Sequence, residues 1–262
     1  MENVTYLKQI WLVRYFWLHL AFADIRAKYR RSMLGLGWAF VQPMALTLLF
    51  TFVMGNFFKV PMGDYAPFIF SGLIFWELIV STTINGCNTF IGAEGFIKQF
   101  THPLLIYTLR NAIPNMINLL CAFAGLIIWV LCWKPSNFGF AWFSLILSFP
   151  TLFLFIWPVG AISAFIGIRF RDFSQLITIF MQAVYYVSPI LFRPQMFESA
   201  NMGFLLTYNP LYHLLNLFRE PLLHGVWPSA VDYLFVIAVS AFLWLCVWQL
   251  IRRNENNIAF YF

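Results

Sequence analysis

The chain has 262 residues, of which 61% are hydrophobic and only 10% charged, with a net charge of +6. Soluble domains carry about a quarter charged residues, and a domain of about 300 residues hides only ~75% of its surface, so this composition excludes a soluble globular fold and indicates a polytopic membrane protein. The positive balance then reads as basic loops facing anionic lipid or a phosphorylated substrate, not as a nucleic-acid footprint, because no basic groove occurs away from the membrane edges.

From the N-terminus, Lys8 to Ala23 is aromatic and apolar but interrupted by Arg14 and His19, so it is expected to lie in the interface plane. Ala21 and Ala23 imitate a signal-peptide cleavage site, a reading rejected because no basic n-region precedes it. Arg26, Lys28, Arg30 and Arg31 follow, directly before the first long uncharged run. Such a cluster stays on the cytoplasmic side, which makes residues 1–31 a cytoplasmic amphipathic segment.

A span needs about 20 apolar residues, and each charge at its centre costs about 2.5–3.5 kcal/mol, so charges act as rulers. They delimit six expected transmembrane helices, 32–58, 65–91, 104–133, 142–168, 173–192 and 233–251. Pro43 lies in the first, and Glu77 is the only charge in the second. In the third, Arg110 is close enough to the inner end to snorkel and Pro114 is expected to kink the helix.

Three connections carry information. Residues 92–103 form a short cytoplasmic segment in which Phe96, Ile97 and Phe100 give an apolar face beside Lys98, either a plain turn or a helix that plugs into a partner. In Ile168 to Phe173, Arg169 or Arg171 is placed to pair with Asp172. Residues 194–231 hold Glu198, His213, Arg219, Glu220 and His224 among leucines, broken by Pro210, Pro221 and Pro228. That stretch is too polar to span and too apolar for a free loop, so an external re-entrant or interfacial helical hairpin is expected. With six spans both termini are cytoplasmic, and the charges agree: twelve Lys and Arg fall on that side against four (Lys59, Lys134, Arg193, Arg219) on the other.

Little in the chain suggests catalysis. Glu77 is the only acid well inside a span, and it is either a structural group satisfied by Ser81 one turn later or part of a translocation path. His19, His102, His213 and His224 show no H-E-x-x-H or i, i+4 pairing, so no metal site is expected. Cys87, Cys121, Cys132 and Cys246 sit in apolar runs without a C-x-x-C pair and read as small buried hydrophobes. No G-x-x-x-x-G-K-[ST] loop occurs, so ATP hydrolysis would need a separate subunit. The absence of paired broken helices in repeated halves argues against a secondary carrier. The chain holds 32 Phe, 11 Trp and 11 Tyr, many at span ends as an interfacial belt. Phe50, Phe52, Trp76, Phe180, Tyr185 and Tyr186 fall inside spans, either for packing and lipid contact or as flat faces along which a sugar slides.

An ordered set of motifs crosses nearly the whole chain. It runs D-I-R-x-x-Y-R-x-S-x-L-G-x-x-W-x-x-x-x-P (Asp24 to Pro43), S-G-L-x-x-W (Ser71 to Trp76), F-I-K-Q-F-T-H-P (Phe96 to Pro103), F-R-D (Phe170 to Asp172), S-P-I-L (Ser188 to Leu191), N-P-L (Asn209 to Leu211) and R-E (Arg219, Glu220). Together they resemble the permease subunit of ABC-2-type polysaccharide exporters, which move O-antigen, capsule or teichoic acid. The resemblance implies an all-α integral membrane protein, multi-pass in the bacterial inner membrane, working as a homodimer that forms a channel. It implies two copies of a separate ATPase subunit, which would hold ATP and Mg, with no cofactor on this chain. Glu94, Phe96, Ile97, Lys98 and Phe100 would make the ATPase contact, and the external re-entrant helices of the family fall on 194–231. The implied substrate is a lipid-linked glycan on polyprenyl diphosphate, for which Arg26, Lys28, Arg30 and Arg31 would form a basic lip; the alternative is that they only bind membrane lipids and set topology. Other readings are an ABC-2 permease for another amphiphile, such as a drug, and an integral membrane enzyme on polyprenyl-linked sugars, against which the lack of a second intramembrane acid counts.

Overall fold

The computed structural model describes residues 3–58, 61–255 and 258–262; Lys59, one of the four external cations, lies outside them. The described residues are helical, with no strand among them.

The N-terminal segment is two helices, α1 (Asn3–Leu12) and α2 (Arg14–Tyr29), parted at Val13 and tied across the break by Trp17 Nε1 donating to the Ile10 carbonyl at 3.0 Å. α2 buries Ala21 and Ile25, four residues apart and so on one face. Asp24 is bidentate to the guanidinium of Arg110, at 2.6 Å from Nε and 2.8 Å from Nη2. Arg110 therefore does not snorkel to water as expected, because a carboxylate from α2 reaches it first. One turn on, the Tyr29 hydroxyl donates to Asn118 Oδ1 at 2.9 Å.

After α3 (Trp38–Phe58), α4 (Met62–Cys87) forms the spine of the bundle: Tyr65, Ile69, Phe70, Ser71 and Phe75 are fully buried on it. A short α5 (Glu94–Gln99) leads to α6 (Leu105–Trp133), then α7 (Leu145–Gly167), α8 (Phe173–Val187) and, after an irregular stretch, α12 (Ala230–Asn254). α4 packs on α3, α6, α7 and α8. Among the described residues, five segments are long and apolar enough to cross a membrane: Gly35–Phe57, Gly63–Cys87, Leu105–Trp133, Phe140–Gly167 and Ala230–Asn254.

At 173–192, where the fifth span is expected, the helix stops at Val187 after 15 residues, about 22 Å at a rise of ~1.5 Å against a hydrocarbon thickness of ~30 Å. The cause is local. Ser188 precedes Pro189, whose ring pushes the preceding residue out of helical space, and Ser188 is extended at ψ 148°.

Residues 194–231 fold as α9 (Pro194–Ser199), α10 (Gly203–Thr207), α11 (Pro210–Arg219) and a π-helical turn, Glu220–His224, closed by Gly225 at φ 70°. The stretch thus holds three short helices, with Asn209 capping α11 by accepting from the Leu211 amide and Pro210 taking its first turn. α11 is buried, polar residues included. His213 sets Nδ1 2.6 Å from Asp232 and Nε2 3.0 Å from the Thr207 carbonyl. Arg219 donates from Nε to Ser71 Oγ at 3.0 Å, from Nη1 to the Pro189 carbonyl at 2.6 Å and from Nη2 to the Phe68 carbonyl at 3.0 Å, with its guanidinium 3.8 Å from the Phe68 ring centre.

At the opposite end, Arg169 donates to Asn254 at 2.5 Å and to the Tyr261 hydroxyl at 2.6 Å. It holds the C-terminal segment instead of pairing with Asp172.

The α4–α7 contact needs glycine. A Cβ on Gly160 would lie 2.8 Å from Thr82 Cγ2, and one on Gly86 2.8 Å from the Gly160 carbonyl. Gly160→Val is therefore expected to lower stability by about 1–3 kcal/mol, read as a drop in the thermal unfolding midpoint in detergent, with Gly160→Ala milder. Asp24→Arg is expected to loosen α2 from α6 and lower the same unfolding midpoint, and Asp24→Arg/Arg110→Asp to restore most of it.

Candidate functional site

A groove of about 660 Å³ opens between α3, α4, α6 and α8, with Lys28 and Tyr29 of α2 at one end. α3 supplies Trp38, Gln42 and Phe50; α4 supplies Trp76, Glu77 and Ser81; α6 supplies Asn115 and Asn118; α8 supplies Gln182, Tyr185 and Tyr186. Rings form a run along it. Trp76 and Tyr185 lie 5.2 Å apart between centres, and Tyr185 meets Tyr186 edge-on at 5.4 Å. Flat apolar faces edged by amides and hydroxyls suit a ligand with both C–H and O–H surface.

Glu77 lies exposed on the groove side of a largely buried helix. The Ser81 hydroxyl does not satisfy it, because that group donates to the Leu78 carbonyl at 3.2 Å. Among the described residues no hydrogen bond or ion pair engages Glu77, so its carboxylate stays available to a ligand or to water.

The polar end continues into a second cavity of about 320 Å³ that shares Lys28, Tyr29, Asn115 and Asn118 and adds Asp24, Arg110 and Asn111. Its wall is a ladder of amides. Asn111 donates to the Thr82 carbonyl at 3.0 Å, and Asn115 donates to Thr82 Oγ1 and to the Asn111 carbonyl. Burial raises the pKa of the Tyr29 phenol, with Cys121 and Glu77 adding to the effect, so it remains a neutral donor to Asn118.

Of the residues singled out in the sequence, the groove gathers Lys28, Phe50, Trp76, Glu77, Tyr185 and Tyr186. Phe52 and Phe180 are not part of it; they are 66% and 60% exposed on the outer surface of the bundle. Phe50 and Phe52 separate because residues two apart on a helix of ~3.6 residues per turn point to nearly opposite sides. Arg26, Arg30 and Arg31 are exposed and off the groove, so the basic cluster contributes one cation, Lys28. Gln42, Asn115, Asn118 and Gln182 were missed. Their signal was present as uncharged amides within apolar spans, which no charge ruler registers.

The short helix α5 carries an exposed Glu94–Lys98 pair at 2.6 Å. Phe96 and Ile97 do not present an outward face; they pack half-buried on the protein's own core, with Phe96 5.8 Å from Phe16 of α2. Phe100 remains 48% exposed and stacks on His102. Ile91 and Phe170, at the same end of the bundle, are also exposed. No group of three or more His, Cys, Asp or Glu side chains gathers to hold a metal among the described residues.

No family model matches the chain. It is similar to the O-antigen export system permease protein RfbA of Klebsiella pneumoniae, 22% identical over 222 residues that cover 84% of each chain. The polysialic acid transport protein KpsM of Escherichia coli is 24% identical over 245 residues, 90% of this chain and 92% of the relative. The O-antigen export system permease protein RfbA of Myxococcus xanthus is 20% identical over 265 residues, 98% of each chain. The chain is thus a multi-pass membrane protein whose resemblance to the permease subunits of ABC-2-type polysaccharide exporters, first carried by its ordered motifs, extends over most of its length.

Proposed function

We propose that the chain is the membrane-spanning subunit of an ATP-driven exporter that carries a polyprenyl-diphosphate-linked polysaccharide, of O-antigen or capsule type, out of the cytoplasm. The observation that carries this reading is the groove. Its rings and amides fit a sugar polymer, and Lys28 stands at one end beside the basic segment that the charge asymmetry assigns to the cytoplasm. In this reading the lipid diphosphate gathers at Lys28, with Arg26, Arg30 and Arg31 raising the local positive potential from outside the groove. The glycan then passes over Trp76, Tyr185 and Tyr186, where stacking on ring faces holds a sugar without fixing its position. Glu77 accepts hydrogen bonds from sugar hydroxyls along the way.

Energy comes from a separate ATPase, two copies of which act on a homodimer of this chain. Its contact is the surface of Glu94, Lys98 and Phe100, enlarged by Ile91 and Phe170. Phe96 and Ile97 serve that contact from behind, by passing a movement of α5 to Phe16 and hence to α2, which Asp24 holds against α6. α8 crosses the bilayer together with the 188–192 segment that follows it, giving six crossings and cytoplasmic termini.

Deleting the gene is expected to trap polyprenyl-linked glycan inside the cell and to remove it from the surface, measured by extraction and surface labelling. An accumulated precursor of altered chemistry would instead favour an enzyme. At equal protein level, Trp76→Ala or Tyr185→Ala removes about 1 kcal/mol of ring contact and should lower surface glycan severalfold. Phe52→Ala and Phe180→Ala should leave it unchanged, and Lys28→Gln should lower it more than Arg30→Gln.

A further inference from the structure

A third cavity, of about 440 Å³, lies at the other end of the bundle, between the start of α4, the end of α6, and α9 and α11. This is the end that the charge asymmetry assigns to the outside. Its lining holds three cations, Lys134, Arg193 and Arg219, and three carboxylates, Asp64, Glu198 and Glu220. Two of the carboxylates are engaged. Asp64 pairs with Lys134 at 2.6 Å and Glu220 with His224 at 3.2 Å. Neither arginine has a carboxylate partner among the described residues.

Arg219 is the more constrained of the two. It is only 4% exposed, and three of the five N–H groups of its guanidinium are taken by Ser71, Pro189 and Phe68. Two are left without a protein acceptor among the described residues, and the side chain borders the cavity. Gly72 makes room for it, since a Cβ there would fall 2.7 Å from Nη2. Arg193 approaches from the start of α9 and lies against the rings of Tyr65 and Phe68, at 5.6 and 6.0 Å from their centres. Both guanidinium groups thus border the same Phe68 ring and are desolvated on that side; Asp64 acts on Arg193 only at longer range, and no carboxylate is in ion-pair contact with either arginine among the described residues. Gln195 and the Tyr212 hydroxyl, also in the lining, make no hydrogen bond among the described residues.

We infer that this cavity binds a single carboxylated sugar unit, its carboxylate on Arg193 and Arg219 and its hydroxyls on Gln195 and Tyr212. A planar carboxylate matches the guanidinium fork. The lining's three cations and three carboxylates cancel, so added negative charge is disfavoured, and a carboxylate, which brings one charge, fits better than a dianionic phosphate, which sets two against the neighbouring carboxylates. The volume falls within the range of small-ligand sites, roughly 300–1,000 Å³. The inference rests on the export reading only for the source of the ligand, an acidic unit of the emerging glycan; the binding chemistry does not depend on it.

The test is calorimetric titration of the full-length chain, purified in detergent, with glucuronate, glucose and inorganic phosphate. Glucuronate should bind, glucose should not, and Arg193→Gln should weaken glucuronate about tenfold, the loss of one charge-assisted contact. Arg219→Lys, which keeps the charge and loses the fork, should weaken it similarly. If Arg219→Lys fails to fold, Arg193→Gln decides alone. Equal binding of glucose, binding of phosphate in preference to glucuronate, or unchanged affinity in Arg193→Gln would overturn the inference. Should gene deletion trap no lipid-linked glycan while glucuronate binding behaves as stated, the export reading falls and the site stands.

Discussion

A guanidinium buried at the edge of a membrane bundle must be solvated by protein, because hydrocarbon offers it nothing. Arg219 meets that demand with the carbonyls of Phe68 and Pro189 and the hydroxyl of Ser71. The other packing follows from these bonds. They press α11 onto α4, they fix the chain just past the end of α8, and they require Gly72 on the facing turn of α4. Breaking such an arrangement on one side only would leave an uncompensated buried charge, a loss of about 3–5 kcal/mol. The same logic recurs in the His213–Asp232 pair, which joins α11 to α12, and in Asp24–Arg110, which joins α2 to α6. In each case a polar side chain that the bilayer will not accept becomes a tie between elements far apart in sequence.

α4 links these ties to function. One side of it packs so closely on α7 that Gly86 and Gly160 touch across the contact. Another receives Arg219 in its N-terminal half. What remains turns Trp76 and Glu77 toward α3, α6 and α8, and the groove is the space those helices leave. α2 closes the groove's polar end because Asp24 and Tyr29 hold it to α6, and Phe16 of the same helix touches α5. A displacement at α5 therefore has a continuous packed route to Lys28.

Much of this was legible in the chain. Five of the six runs that the charges delimit correspond to the long apolar helices of the structure, since a charge in hydrocarbon costs more than any propensity difference, and the misfit polar stretch 194–231 folds as short, irregular helices. Other features were hidden for definite reasons. Arg110 was read as snorkelling because its partner lies 86 residues away, beyond any local pattern. The end of α8 at Val187 followed from a pre-proline residue inside an apolar run, where hydropathy is blind to backbone sterics. The aromatic candidates divided by helical phase: Phe50 reached the groove and Phe52 did not, a distinction available only once the facing side of α3 was known. Similarly, the apolar pattern of α5 located a packing face in Phe96 and Ile97 but could not say that the protein's own core would occupy it.

The central claim is that exported glycan travels along the groove in contact with its aromatic wall. Its most direct test is site-specific photocrosslinking in exporting cells, with a photoreactive residue placed at Trp76 or Tyr185 on the wall and at Phe180 on the outer surface. The account predicts glycan adducts from the first two positions, dependent on active export, and none from the third. Adducts at Phe180 with none at Trp76 and Tyr185 would contradict it.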